Sequence, residues 1–306
     1  MEQRPGRPEI ERQRDVLARL ARTASLETSA RTGEEIDLFA GLLWPGTRVF
    51  VAWVPGAPVE HAIEVSARLA RIGLQPVPHI AARELPDAAT AERVIARLTG
   101  EAGVTEALLI AGDRPQPAGP FADSVALLRT GLFEANGIRR LGVAAYPEGH
   151  ARISVHALNG ALAAKLGYAA AHGLQAALVT QFSFDGEIVL AWLRRLRAKG
   201  LDAPAHIGLA GPAKLSTLIK FGMRCGIGNS LRALSSHARQ VTQLLSSQGP
   251  ETVASPLLGA GPELGIAGWH LFSFGGFART AAWLRSVAEG RIEFLEDGGF
   301  RVLPAA

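Results

Sequence analysis

"AALVTQFSFDGEIVLAWLRRLRAKG", residues 176–200, holds one full structural period of the chain. It opens on a short run of β-forming residues, "AALVTQF" (176–182), and crosses a polar junction. It then becomes "EIVLAWLRRLRAKG" (187–200), an amphipathic helical pattern that stops at Gly200. A short apolar run without strict alternation suits a strand covered on both faces, as in a parallel sheet. A glycine at the end of a helical pattern supplies the residue that stops the helix.

The same period recurs along the chain. The apolar runs are "TASLET" (23–28), "RVFVAWV" (48–54), "QPVPHIA" (75–81), "EALLIAG" (106–112), "RRLGVAAY" (139–146), "AALVTQF" (176–182), "AHIGLAG" (205–211) and "GWHLFSF" (268–274), eight in all. Helical patterns closed by Gly lie between them: 57–73, 88–100, 121–137, 154–173, 187–200 and 278–290. In the first, Ala62, Val65, Leu69 and Ile72 fall at helical spacing. Alternating strands and helices of this number predict a single-domain α/β protein, a (β/α)8 TIM barrel. A doubly wound open sheet is the alternative.

The longer stretch 212–267 predicts two helices, 213–226 and 230–249, followed by a Gly/Pro loop. The tail, about 290–306, reads as a hairpin around Asp297, Gly298 and Gly299. Residues 1–20 read as a flexible start that leads into a short amphipathic helix.

Composition narrows the function classes. The 306 residues are 48% hydrophobic and 20% charged, an ordinary globular balance. No apolar run approaches the ~20 residues that a bilayer span needs, so no membrane partner is expected. The charged N-terminus lacks the apolar core of a secretory signal. Its acids Glu2, Glu9, Glu11 and Asp15 argue against a transit peptide. The single cysteine, Cys225, excludes an internal disulfide and a cysteine-built zinc site, which fits the cytoplasm. The net charge of +4 is spread without a block of like charges, so no nucleic acid is expected. It suits a small anionic ligand. Exposed helix faces of such barrels often self-associate, so a homo-oligomer is one expectation.

A barrel carries its chemistry on the loops at the carboxyl ends of its strands. Those ends hold Glu27, Trp53, His79, Asp113, then Tyr146, Glu148 and His150, then Gln181 and Asp185, and finally Ser273. Glu27 reads either as a catalytic carboxyl or as a buried ion-pair member. Asp113 lies in "AGDRPQPAG", where Asp also serves to bond its own turn. His79 follows Pro78 in an apolar run, which also fits a satisfied core histidine. Gln181 needs partners for its amide, which favours a ligand contact. "GAGPELG" (259–265) has the wrong glycine spacing for a dinucleotide fingerprint and no strand before it. There is no P-loop and no G-x-S-x-G elbow. His150 and His156 are badly spaced for a metal pair, so no metal is expected.

Taken in order, "SLETS", "PHIA", "LIAGDRP", "VAAYPEGH" and "LVTQFSFD" resemble the motifs of the methylenetetrahydrofolate reductase family. The resemblance covers nearly all of 20–285. It implies a (β/α)8 barrel that carries FAD, uses NAD(P)H and reduces 5,10-methylenetetrahydrofolate to 5-methyltetrahydrofolate. By that resemblance Glu27 is the acid that protonates the folate nitrogen as its ring opens, and Asp113 favours the iminium cation. Gln181, Asp113 and Phe184 face the folate. His79, Gly112, Tyr146, Glu148 and His150 line the flavin.

The chain also departs from the family pattern. Ala111 stands where the family usually has Arg, and Ala52 where it usually has Thr. Tyr168-Ala169 replaces an Arg-Lys pair that holds the FAD phosphates. Charge-assisted contacts are worth about 1.5–3 kcal/mol each. Two expectations follow: FAD held by other groups such as Arg114 or Lys165, or hydride passed directly from NAD(P)H to the folate. A tetrahydrofolate-binding methyltransferase, or its methyl-transfer partner, is the competing class.

Overall fold

The computed structural model describes residues 7–29, 33–53, 58, 60–227, 230, 247–296 and 298–303. All eight apolar runs are strands: β1 (Ser25–Thr28), β2 (Arg48–Val51), β3 (Gln75–Ala81), β4 (Glu106–Ile110), β5 (Arg140–Ala145), β6 (Gln175–Thr180), β7 (Ala205–Ala210) and β8 (Ile266–Phe272). They close into a parallel barrel in the order β1-β8-β7-β6-β5-β4-β3-β2. The fold is the expected (β/α)8 barrel. No helix among the described residues is long and apolar enough to cross a membrane.

The chain falls into two compact units. One comprises Glu27–Ala145 and Val155–Val179; the other comprises Met1–Leu26, Tyr146–Ser154 and Thr180–Ala306.

In the first unit, β3 shows how sequence sets the ladder. Gln75 donates its N–H to Thr47 of the segment leading into β2. Successive N–H groups of a strand point to opposite neighbours, so those at 76 and 78 would point toward β4. Both positions are proline and have no N–H to give. Accordingly β3 pairs with β2 over Gln75–Pro78, and with β4 only from His79 to Ala81. Phe50, Val77, Leu108 and Val179, from four strands, form a buried cluster. The helix Ala88–Ala102 runs through Gly100, the expected stop, and ends on Gly103 at φ 61°. Asp87 caps its start by accepting the Thr90 N–H.

In the second unit the expected amphipathic helix is present but begins already at Arg7, so residues 7–20 are not the flexible start expected. A helix runs from Arg7 to Thr23 and packs on the helix Phe277–Ala288. Leu17 and Ala21 are fully buried, and Arg14 donates to the Gly290 carbonyl. Those anchors lie at the far end of the chain, which local reading does not reach. The tail is a hairpin, Ile292–Phe294 against Phe300–Val302. Helix Leu215–Cys225 is as expected, capped by Gly226. The second expected helix, 230–249, falls almost wholly outside the described residues. The expected Gly/Pro loop contains instead a helix, Glu251–Leu258, with Pro256 inside it. Its buried Val253, Ala254 and Leu257 give it a core face strong enough to tolerate one lost hydrogen bond.

Candidate active site

The residues singled out from sequence fall into two groups, one in each unit. In the first unit Glu27 of β1 and His79 of β3 come together, Glu27 Oε2 lying 3.4 Å from His79 Nε2. The His79 side chain is 9% exposed and that of Glu27 20%. The edge of Phe50 packs on the His79 ring, with centroids 6.1 Å apart. Burial raises the Glu27 pKa above the ordinary 4.5, against a smaller opposing effect from His79. Losing solvation disfavours the carboxylate, so the carboxyl keeps its proton to higher pH.

Gly112 and Asp113 follow β4. Gly112 has φ 92°, and a Cβ there would sit 3.3 Å from the Ala81 Cβ. The position therefore serves a tight exit from the strand, where an L side chain is strained. Asp113 is exposed on the loop that follows.

That unit also holds Tyr168 and Ala169, which stand where the resemblance alone would expect a phosphate-binding pair. The Tyr168 hydroxyl donates to Glu134 Oε1 at 2.5 Å, and its ring stacks on His172 at 3.8 Å between centroids. Desolvation, helped by Glu134, holds the phenol up at about 12, so it stays a neutral donor. Ala169 is 1% exposed. Lys165 is buried, which lowers its pKa to about 8 against the pull of Asp123. Arg114 pairs with Glu84 at 3.6 Å. Tyr168 and Ala169 offer no cation and do not fit the diphosphate of a flavin dinucleotide.

In the second unit, Tyr146 and Gly149 close a turn, the Gly149 N–H donating to the Tyr146 carbonyl. The Tyr146 and His150 rings meet edge to face, centroids 5.3 Å apart. His150 Nδ1 accepts the Arg152 N–H. Gln181 turns its amide oxygen back to accept the Phe182 N–H at 3.1 Å. Phe184 packs edge-on against Phe182, beside Phe221, Phe272 and Phe274.

Glu148 has contacts that the sequence did not announce. Its Oε1 accepts the hydroxyls of Ser183 at 2.8 Å and Ser230 at 2.5 Å. Its Oε2 accepts the Ser230 N–H at 3.0 Å. The Ser230 hydroxyl in turn accepts the N–H of Phe184. One carboxylate thus ties the turn after β5 to the Phe184 segment. Glu148→Ala is expected to cost ~1–3 kcal/mol, the penalty of stranding those donors. Glu148→Gln keeps an acceptor oxygen and should lose less; denaturant midpoints of the two variants check this.

Ser183 and Ser230 were missed, as was Arg83, which bonds the loop carrying Asp113. Ser183 had one signal, a hydroxyl set between two phenylalanines. Among the described residues no group of three or more His, Cys, Asp or Glu is placed to hold a metal ion. Set against models of known protein families, the chain matches none.

Proposed function

We propose that the protein is a folate-dependent oxidoreductase that interconverts 5,10-methylenetetrahydrofolate and 5-methyltetrahydrofolate, with a nicotinamide as the hydride partner. The observation that carries this reading is Glu27: a carboxyl beyond the middle of a barrel strand, its pKa raised by burial, beside His79. A pure binding module has no use for a proton held in this way.

The chemistry in the reducing direction balances as follows. Glu27 gives its proton to the folate nitrogen as the carbon–nitrogen bond of the bridge breaks. The methylene carbon is left as an iminium cation, which the negative charge of Asp113 favours. Hydride from the reduced nicotinamide adds to that carbon, forming the methyl group and oxidised nicotinamide. Solvent then returns a proton to Glu27. No step is assigned to a flavin, because Tyr168 and Ala169 do not fit its diphosphate. The net positive charge suits an anionic folate.

The test is NADH or NADPH oxidation dependent on 5,10-methylenetetrahydrofolate, with and without added FAD, on protein whose visible spectrum is recorded first. Turnover that FAD leaves unchanged is expected. Flavin absorbance at about one per chain would sink the direct route. Methyl transfer without nicotinamide oxidation would place the protein in the methyltransferase class instead.

A further inference from the structure

We propose that Arg83 is a positioning residue for Asp113, holding the loop after β4 in the path that presents this carboxylate; the inference rests on the role given to Asp113 above. The loop from Ala111 to Asp123, "AGDRPQPAGPFAD", carries Pro115, Pro117 and Pro120 and forms no helix or strand. Prolines donate no hydrogen bond, so such a loop cannot build a ladder of its own. Its carbonyls need donors from elsewhere, and a single side chain serves three of them.

Arg83 lies in the 3-10 turn Ala82–Glu84 that follows β3. Its Nε donates to the Arg114 carbonyl at 2.7 Å, Nη1 to that of Ala122 at 2.7 Å, and Nη2 to that of Pro115 at 2.5 Å. Its backbone N–H donates to Ala111 at 2.8 Å, and its carbonyl accepts the Ala118 N–H at 2.8 Å. Asp113 therefore sits between two points, Ala111 and Arg114, that are both bonded to the same residue. The loop also lies directly on the chain just beyond Arg83, since a Cβ on Gly119 would come 2.1 Å from the Pro86 carbonyl oxygen. The turn is itself anchored, because Ala82 and Leu85 are fully buried.

Among the described residues, the guanidinium bonds of Arg83 all go to this loop and none to a barrel strand. Removing the side chain should thus release the loop and spare the barrel. Lysine cannot substitute: one ammonium does not reproduce a planar fork aimed at three carbonyls.

The experiment compares wild type, Arg83→Ala, Arg83→Lys, Asp113→Asn and the double variant Arg83→Ala/Asp113→Asn. It measures kcat and KM in the folate-dependent nicotinamide assay and amide hydrogen exchange over 112–122. Misplacing a reacting group by about 1 Å costs up to ~10²-fold. Arg83→Ala is expected to lose rate on that scale in kcat, to exchange faster in this loop alone, and to recover in part with added guanidinium ion. Arg83→Lys should stay low, and it serves if the alanine variant fails to fold. In the Asp113→Asn background, Arg83→Ala should cause no further loss. Losses that multiply in the double variant overturn the positioning role while leaving the reading of Asp113 intact. A wild-type rate in Asp113→Asn overturns both. Unchanged loop exchange in Arg83→Ala overturns the proposal whatever the activity.

Discussion

Glu27→Gln is expected to abolish most of the folate-dependent nicotinamide oxidation, by ~10²–10⁴-fold, the usual contribution of a positioned proton donor. The amide keeps the size and polarity of the carboxyl but has no proton to give. The loss should fall on kcat, because the nitrogen accepts its proton only as the bridge opens. The pH dependence follows from the raised pKa. The wild-type rate should fall as pH rises through the Glu27 value, since the donor form is being lost; the residual rate of Glu27→Gln should lack that limb. Stability should move with the opposite benefit. Glu27 has a folded-state pKa above its ordinary 4.5, so the native protein binds more protons than the unfolded chain between the two values. The stabilisation is complete below 4.5 and is lost as pH rises through the folded value. Glu27→Gln cannot lose it. Denaturation midpoints of the two proteins should coincide in acid and separate toward neutral pH, the variant being the more stable. A wild-type rate in Glu27→Gln removes the acid from the mechanism.

The barrel was legible because its information is local and repeated. Each strand-helix period, as in 176–200, carries its own apolar run and its own glycine stop. Errors came where a local signal competed with a distant one. Gly100 looked like a stop, but Val94, Ile95, Leu98 and Ala102 keep a buried face going to Gly103. Pro256 looked like a loop, but the buried residues around it sustain a helix. The N-terminal helix is longer than its local pattern suggests because its partners, the helix Phe277–Ala288 and Gly290, lie at the other end of the chain.

The candidate site was legible only in its residue types. Strand-end position alone singled out Glu27 and His79, and they do meet. It could not say what Glu148 touches, because Ser183 and Ser230 reach it from separate loops. Arg83 was invisible for a related reason. Its donors go to backbone carbonyls, which every residue has, so no pattern of side chains marks their target.

The largest loss of stability is expected at the opposite ends of the strands. Glu106 opens β4 and is 4% exposed. It accepts from Arg48, the first residue of β2, at 3.3 Å, and from Arg140, the first residue of β5 and its partner in the ladder, at 3.0 Å. One buried carboxylate thus bridges two guanidinium groups. Deleting a buried partner costs about 3–5 kcal/mol, chiefly through the charge left behind. The Arg140 side chain keeps 43% exposure and can turn to water, whereas that of Arg48 keeps 20%. Glu106→Ala should therefore cost ~3 kcal/mol, the lower end of that range. Urea denaturation followed by circular dichroism measures it. Replacing all three residues together, Arg48→Leu, Glu106→Leu and Arg140→Leu, should recover much of the loss, since the penalty lies in an unmatched charge rather than in a missing contact. In the folded Glu106→Ala protein, kcat should stay at the wild-type value. Glu106 is the first residue of β4 and Asp113 lies beyond its last, and barrels keep stability and chemistry at opposite ends of their strands. A fall in kcat matching that of Glu27→Gln would show that the carboxyl ends are not where this protein does its work.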